Sequence, residues 1–127
     1  MLINNAHIWI GLFDSKKRLE KYMEETYGED EDESPISQFA RDQMEWYYDH
    51  DLVYAEFIRK ATVQALIEVW NFPEQSVAEV VAAIEKLGHL KANVCVVADK
   101  DEFKAPRSAT GNGYELWYVG QFDGCNI

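Results

Sequence analysis

The chain has 127 residues, 47% of them hydrophobic, which is enough apolar material for the core of one ordinary domain. Its formal net charge of −11 argues against binding to nucleic acid or to an anionic membrane surface, because both need lysine and arginine. We therefore expect a single domain over residues 1–127, and the lack of an export signal or an apolar span predicts a cytoplasmic location.

The first predicted element is a strand over residues 7–13, where almost every position is apolar. Such a run is typical of a strand covered on both faces near the middle of a sheet. A helix follows, with Asp14 or Ser15 as its N-cap and Gly28 as its end. The apolar face of this helix consists of Leu19, Tyr22, Met23 and Tyr27.

An acidic segment comes next, made of Glu29, Asp30, Glu31, Asp32 and Glu33. A block of like charges is most often a solvated loop, but it can also attract a positively charged protein by electrostatic steering. Ser34 and Pro35 then predict the start of a short second helix, since proline is favoured at the first helical position.

An aromatic and acidic cluster follows, and it consists of Trp46, Tyr47, Tyr48, Asp49, His50 and Asp51. Trp and Tyr frequently anchor protein interfaces, because they bury a large area. Aromatic residues also build cores, so we expect at least one of the three rings to be buried. The acidic segment, these three rings and the carboxylates of Asp49 and Asp51 together are the predicted partner-binding residues.

The second half of the chain continues the alternation of strands and helices. Residues 52–58 are rich in β-forming side chains and are predicted as a strand, although they could also begin a helix. Thr62 is a good N-cap for a helix that ends before Pro73. The capping box of residues 76–79 predicts another helix, which Gly88 closes.

The last two predicted strands, residues 93–98 and 114–120, are expected to pair as an antiparallel hairpin. The connection between them, residues 99–113, is longer than most hairpin loops and is therefore a candidate for a functional or mobile loop. It contains the basic residues Lys100, Lys104 and Arg107. It could contact the acidic segment within the protein.

The predicted order of elements is β-α-α-β-α-α-β-β. It indicates an α+β (mixed α/β) domain, with a sheet of about four strands covered by about four helices. Cys95 lies in an apolar run and is predicted to be a buried thiol.

The sequence contains no established motif for metal binding or for nucleophilic catalysis. The three histidines lack HxxxH spacing, the two cysteines lack CxxC spacing, and the Asp-x-Asp pairs do not continue as calcium loops. Asp49 and Asp51 flank His50 and could serve a general base, but a solvated turn is the favoured interpretation. We expect no catalytic residue, no metal and no cofactor.

The succession of motifs over residues 7–58 resembles the immunity protein 22 family of bacterial polymorphic toxin systems. The residues that carry the resemblance are His7 to Gly11 with Phe13 to Ser15, Tyr27 before the acidic segment, Ser34 and Pro35 with Phe39 to Asp42, and Trp46 and Tyr47 with Asp49 and Asp51. The family pattern is richer in glycine where this chain has Met44 and Glu45.

The resemblance implies a small intracellular α+β protein that binds a cognate toxin domain and neutralises it. Such toxins are often nucleases with basic grooves, so an acidic inhibitor can take the place of the phosphates. Two alternatives remain at this point, an acidic adaptor domain without a toxin partner and a small enzyme with a carboxylate site. The enzyme would need a deep pocket around His50.

Overall fold

The computed structural model describes residues 2–27, 34–60, 62–88 and 91–126, and it centres on a five-stranded antiparallel sheet. The strands are β1 (Leu2–Phe13), β2 (Val53–Phe57), β3 (Val94–Asp99), β4 (Ala109–Gly111) and β5 (Tyr114–Asn126). Their spatial order is β2-β3-β1-β5-β4, so β1 is the central strand. The helices in the described residues are α1 (Lys16–Met23), α2 (Gln38–Asp42), α3 (Val63–Glu68) and α4 (Glu74–Lys86), with 3-10 turns at His50–Leu52 and Lys100–Glu102.

The predicted α+β class is confirmed, with one strand more than expected. The extra strand is β4, which has only three residues and lies inside the segment predicted as a loop. The predicted hairpin between the third and last strands is wrong, because β1 lies between β3 and β5 and pairs with both. The tight hairpin joins β4 to β5 instead, with Gly111 opposite Tyr114.

The central position of β1 follows from its apolar side chains on both faces. Alternate residues of a strand point to opposite faces of the sheet. Trp9 and Phe13 pack in one core cluster with residues of α1 and α2, whereas Ile8 and Ile10 pack in a second cluster with residues of α3 and α4. The two helix pairs therefore cover opposite faces of the sheet, and the prediction of a doubly buried strand is confirmed. Cys95 is fully buried in the second cluster, as predicted.

The start of α1 agrees with the sequence, but its end does not. Ser15 is the N-cap, and its hydroxyl accepts a hydrogen bond from the backbone N–H of Arg18 at 3.1 Å. The helix ends at Met23, before the predicted stop at Gly28, which lies outside the described residues. The backbone N–H of Thr26 donates to the carbonyl of Ile36 at 2.8 Å, so a tertiary hydrogen bond replaces the next helical one.

Two further helices begin at positions other than those predicted. Helix α2 begins after Ser37, whose hydroxyl accepts from the N–H of Ala40, and not at Ser34 and Pro35. Helix α4 begins directly after Pro73, so the predicted capping serine, Ser76, lies buried inside the helix. Helix α2 is therefore about one turn shorter than predicted, and α4 is about one turn longer. This is the scale on which local cap signals compete with packing.

The remaining local predictions agree with the structure. Thr62 caps α3 by accepting from the N–H of Ala65 at 3.1 Å. Gly88 follows α4 with a φ of +109°, the left-handed backbone that favours glycine. Residues 53–57 form a strand and not a helix. No helix within the described ranges is both long and apolar enough to cross a bilayer.

Candidate partner-binding surface

Four large apolar side chains are exposed on neighbouring backbone segments, and we define them together as the exposed patch: Tyr27, Met44, Trp46 and Tyr47. Each of them is at least 60% exposed to solvent. The described part of the chain has seven exposed large apolar side chains in all, and the other three are 46% exposed or less. Scattered exposed apolar residues are ordinary, but a group of this kind marks an interaction site more often than a bland surface.

Backbone hydrogen bonds hold the segments of the exposed patch side by side. The carbonyl of Ile36 accepts from the N–H of Thr26 at 2.8 Å, and the N–H of Ile36 donates to the carbonyl of Trp46 at 3.0 Å. A shallow cleft of about 400 Å³ lies next to these segments, and it is lined by Ser34, Pro35, Arg41, Met44, Glu45 and Trp46. The patch therefore has a fixed backbone frame, although its side chains face solvent.

The segment that contains Glu29, Asp30, Glu31, Asp32 and Glu33 lies outside the described residues. The residues that flank it in the sequence, Tyr27 and Ser34, both belong to the surroundings of the exposed patch.

A half-buried carboxylate, Glu25, connects His50 to Tyr27 of the exposed patch. Its Oε2 lies 2.8 Å from Nδ1 of His50, and its Oε1 accepts a hydrogen bond from the hydroxyl of Tyr27. Burial alone would raise the pKa of Glu25, but the hydrogen bonds from His50 and Tyr27 outweigh burial and hold that pKa below its usual value. No sequence pattern singles out Glu25, which resembles any solvated residue at a helix end.

The pKa values of His50 and Tyr27, the two partners of Glu25, are shifted upwards. The hydrogen bond to Glu25 and its negative charge raise the pKa of His50. The same carboxylate, with smaller contributions from nearby Tyr47 and Asp49, raises the pKa of Tyr27 to about 12. An ionised Glu25 with a protonated His50 therefore ties the chain after α1 to the turn that carries Asp49 and Asp51.

Asp49 and Asp51 are both exposed beside this turn. Asp49 caps the 3-10 turn, and its carboxylate accepts from the N–H of Asp51 at 2.9 Å. His50 between them has a side chain that is 73% exposed. This geometry does not provide the deep pocket around His50 that the enzyme alternative requires.

Tyr48 lies in the core and not on the surface. It is 1% exposed, its ring packs near Phe39 and Phe103, and its hydroxyl lies 3.2 Å from the hydroxyl of Ser37. Burial also raises the pKa of Tyr48. The expectation that at least one of the three rings is buried is confirmed, and Tyr48 provides no exposed area to a partner. Its place among the predicted partner-binding residues is corrected accordingly.

The segment over residues 99–113 is held against the end of α2. The side-chain amide of Gln43 donates to the carbonyl of Arg107 at 2.8 Å and accepts from the N–H of Arg107 at 2.7 Å. The indole of Trp9 donates to the same carbonyl, and the N–H of Lys104 donates to Glu45 at 2.9 Å. Nη1 of Arg107 also lies 3.0 Å from Sδ of Met44, so this segment places the exposed side chain of Arg107 against the patch.

Across the described residues, no three His, Cys, Asp or Glu side chains lie close enough together to hold a metal ion. His7 is a buried histidine with both ring nitrogens engaged, by the hydroxyl of Tyr118 at 2.8 Å and by the carbonyl of Lys100 at 3.1 Å. Burial lowers the pKa of His7, so the neutral ring fits this place in the core. His89 lies outside the described residues.

A family model described as Immunity protein 22 matches residues 6–123 of the chain. The chain belongs to the immunity protein 22 family. The match extends the sequence resemblance, which was strongest over residues 7–58, to almost the whole domain. Comparison with curated protein sequences gives no match, and comparison with solved structures gives none either.

One residue of the exposed patch in this immunity protein 22 family member has an unusual backbone conformation. Met44 has a φ of +59°, in the left-handed region that favours glycine. The N–H of Met44 bonds to the carbonyl of Arg41, and the N–H of Glu45 bonds to the carbonyl of Ala40, which is the Schellman arrangement at the end of α2. The chain thus places a methionine that is 72% exposed where glycine would be less strained.

Proposed function

We propose that this chain is an immunity protein that binds a cognate toxin domain and neutralises it by covering a basic, nuclease-type substrate groove. Membership of the immunity protein 22 family supports a role in immunity. The net charge of −11 supports a basic partner, because opposite charges on two proteins raise their rate of encounter.

The exposed patch is the observation that carries the proposed site. It gathers four of the seven exposed large apolar side chains in the described residues, and Asp49, which acts on the pKa of Tyr27, is exposed close to it, as is Asp51 two residues on in the sequence. Interfaces of this type combine a few aromatic anchors with a charged rim. In this proposal Trp46 and Tyr47 bury contact area, while the carboxylates steer the encounter.

The acidic segment has the steering role in this proposal. Glu29, Asp30, Glu31, Asp32 and Glu33 carry five negative charges in succession. Charges on the rim of an interface act mainly on the association rate and lose their effect as salt screens them. Strained Met44 supports the same site, since backbone strain at an exposed apolar residue is common where function requires that residue.

The test is co-expression with the toxin domain encoded beside the gene, followed by binding kinetics with an inactive form of that toxin. Trp46→Ala with Tyr47→Ala should weaken binding by about 30-fold or more, as expected when interface anchors of about 2 kcal/mol are lost. The matched control is Leu12→Ala with Leu87→Ala, which removes exposed apolar side chains elsewhere on the described surface. Equal effects of the two double variants would remove the patch as the site.

A charge-reversal variant tests the steering role separately. Replacing Asp30, Asp32 and Glu33 together by lysine should lower the association rate strongly at low salt and only weakly at high salt. An unchanged affinity at low salt would show that this segment is not part of the site. Failure of the wild-type chain to bind or neutralise any neighbouring toxin would favour the adaptor alternative.

A further inference from the structure

A second surface with a distinct character lies on the opposite side of the sheet, between α3 and α4. It is an open groove of about 670 Å³. The groove is lined by Gln64, Glu68, Phe72, Glu74, Val77, Ala78, Val81, Ala82 and Glu85. Because α3 and α4 pack on the other core cluster, this groove cannot belong to the exposed patch around Trp46.

The apolar part of the groove comes from two neighbouring rows along α4. Val77 and Val81 are half-buried and one turn apart, and they form one row. Ala78 and Ala82 form the next row, and both are exposed. Small side chains lower this ridge, so the ridge of another helix could pack closely against it. Helix α4 has 13 residues and is about 20 Å long, which accommodates several turns of a partner helix.

The charged part of the groove has a single sign. Glu68, Glu74 and Glu85 stand exposed along it, and the residues that line it include no lysine, arginine or histidine. A second copy of this chain would bring another set of these carboxylates against the first, which like charges oppose. A segment that carries lysine or arginine beside an apolar face would complement both the apolar side chains of the groove and its glutamates.

We propose that the groove between α3 and α4 binds a cationic amphipathic helix of a protein partner. Apolar side chains of that helix pack on Val77, Val81 and the two alanines, and its lysines or arginines pair with the three glutamates. In this mode of recognition, a partner helix places apolar side chains at helical spacing into an apolar groove. The inference does not rest on the proposed toxin site, because it concerns the other face of the sheet.

The probe for the test is a synthetic helical peptide about four turns long, with leucines on one face and flanking lysines. A peptide of the same composition in scrambled order, without an apolar face, is its control. We expect the amphipathic peptide to shift the amide resonances of residues 63–87 in a titration followed by NMR, and the scrambled peptide to leave them nearly unchanged. Shifts spread over the acidic surface, or centred on residues 44–51, would overturn the proposal, as would the absence of binding.

A pair of variants on α4 makes the test specific. Ala82→Arg fills the groove with a bulky cation at an exposed helical position. It should weaken binding of the amphipathic peptide by roughly tenfold or more. Glu79→Arg is the control, because Glu79 is exposed on the same helix but does not line the groove. Glu79→Arg changes the net charge by two, whereas Ala82→Arg changes it by one. A purely electrostatic association would therefore be weakened more by Glu79→Arg, and that result would contradict a groove-specific site.

Two further readouts separate this proposal from its alternatives. Trp46→Ala with Tyr47→Ala should leave peptide binding unchanged, so loss of toxin binding and loss of peptide binding are independent results. Sedimentation equilibrium should show no self-association that depends on Ala82. A dimer broken by Ala82→Arg would assign the groove to a second copy of the chain and overturn the cationic helix.

Discussion

The neighbouring residues Tyr47 and Tyr48 should respond in opposite ways to the same substitution. Tyr47 is 63% exposed, whereas Tyr48 is 1% exposed and packs against Phe39 and Phe103. A buried aromatic side chain removes about 150–250 Å² from water, which at about 25 cal/mol per Å² amounts to roughly 4–6 kcal/mol as an upper bound. Tyr48→Ala should therefore lower the free energy of unfolding by about 3–5 kcal/mol, and Tyr47→Ala by about 0.5 kcal/mol or less.

Urea unfolding followed by tryptophan fluorescence measures both values. A domain of this size is stable by roughly 5–15 kcal/mol, so Tyr48→Ala could fail to fold, and Tyr48→Phe provides the safer variant. Tyr48→Phe loses the hydroxyl, which contacts Ser37 and also interacts with Glu25, and should cost about 1 kcal/mol, while Tyr47→Phe should cost almost nothing. Equal losses at the two positions would refute the assignment of Tyr48 to the core. Toxin binding should show the reverse order, with Tyr47→Ala more harmful than Tyr48→Phe.

Three further predictions follow from the contacts around the exposed patch. Gln43→Leu removes both hydrogen bonds to the backbone of residue 107 and should lower the free energy of unfolding in urea by about 2–3 kcal/mol, whereas Gln64→Leu, which loses one exposed bond on α3, should change it by under about 0.5 kcal/mol. Met44→Gly relieves the left-handed backbone, so the free energy of unfolding should stay level or rise by about 0.5–1 kcal/mol while toxin affinity falls; a clear loss of stability would contradict the strain. His50→Gln should reduce stability most between about pH 4.5 and 6.5, which are the ordinary pKa values of glutamate and histidine. The raised pKa of His50 stabilises the fold below pH 6.5, and the lowered pKa of Glu25 stabilises it above pH 4.5. A difference from wild type that does not shrink as pH rises past the pKa of His50 would show that the ion pair is not its cause.

Much of the candidate site depends on pairs of segments that are distant in the sequence. The aromatic and acidic cluster could be chosen from the sequence, because Trp, Tyr and Asp are adjacent there. Its division into exposed Tyr47 and buried Tyr48 required the position of Phe103, which is more than fifty residues away. Glu25 and Gln43 were missed for the same reason, since their partners lie beyond the reach of helical or strand periodicity.

By itself, the sequence determined the α+β class, the central buried strand, a helix cap at Asp14 or Ser15, the cap at Thr62, and the family resemblance. These features depend on side-chain type and local spacing, which act over a few residues of the chain. Only the tertiary structure decided that β1 separates β3 from β5, that α1 ends at Met23, and that the rings around Trp46 share one surface. Each of these is set by hydrogen bonds and packing between distant segments, and no local pattern contains that pairing.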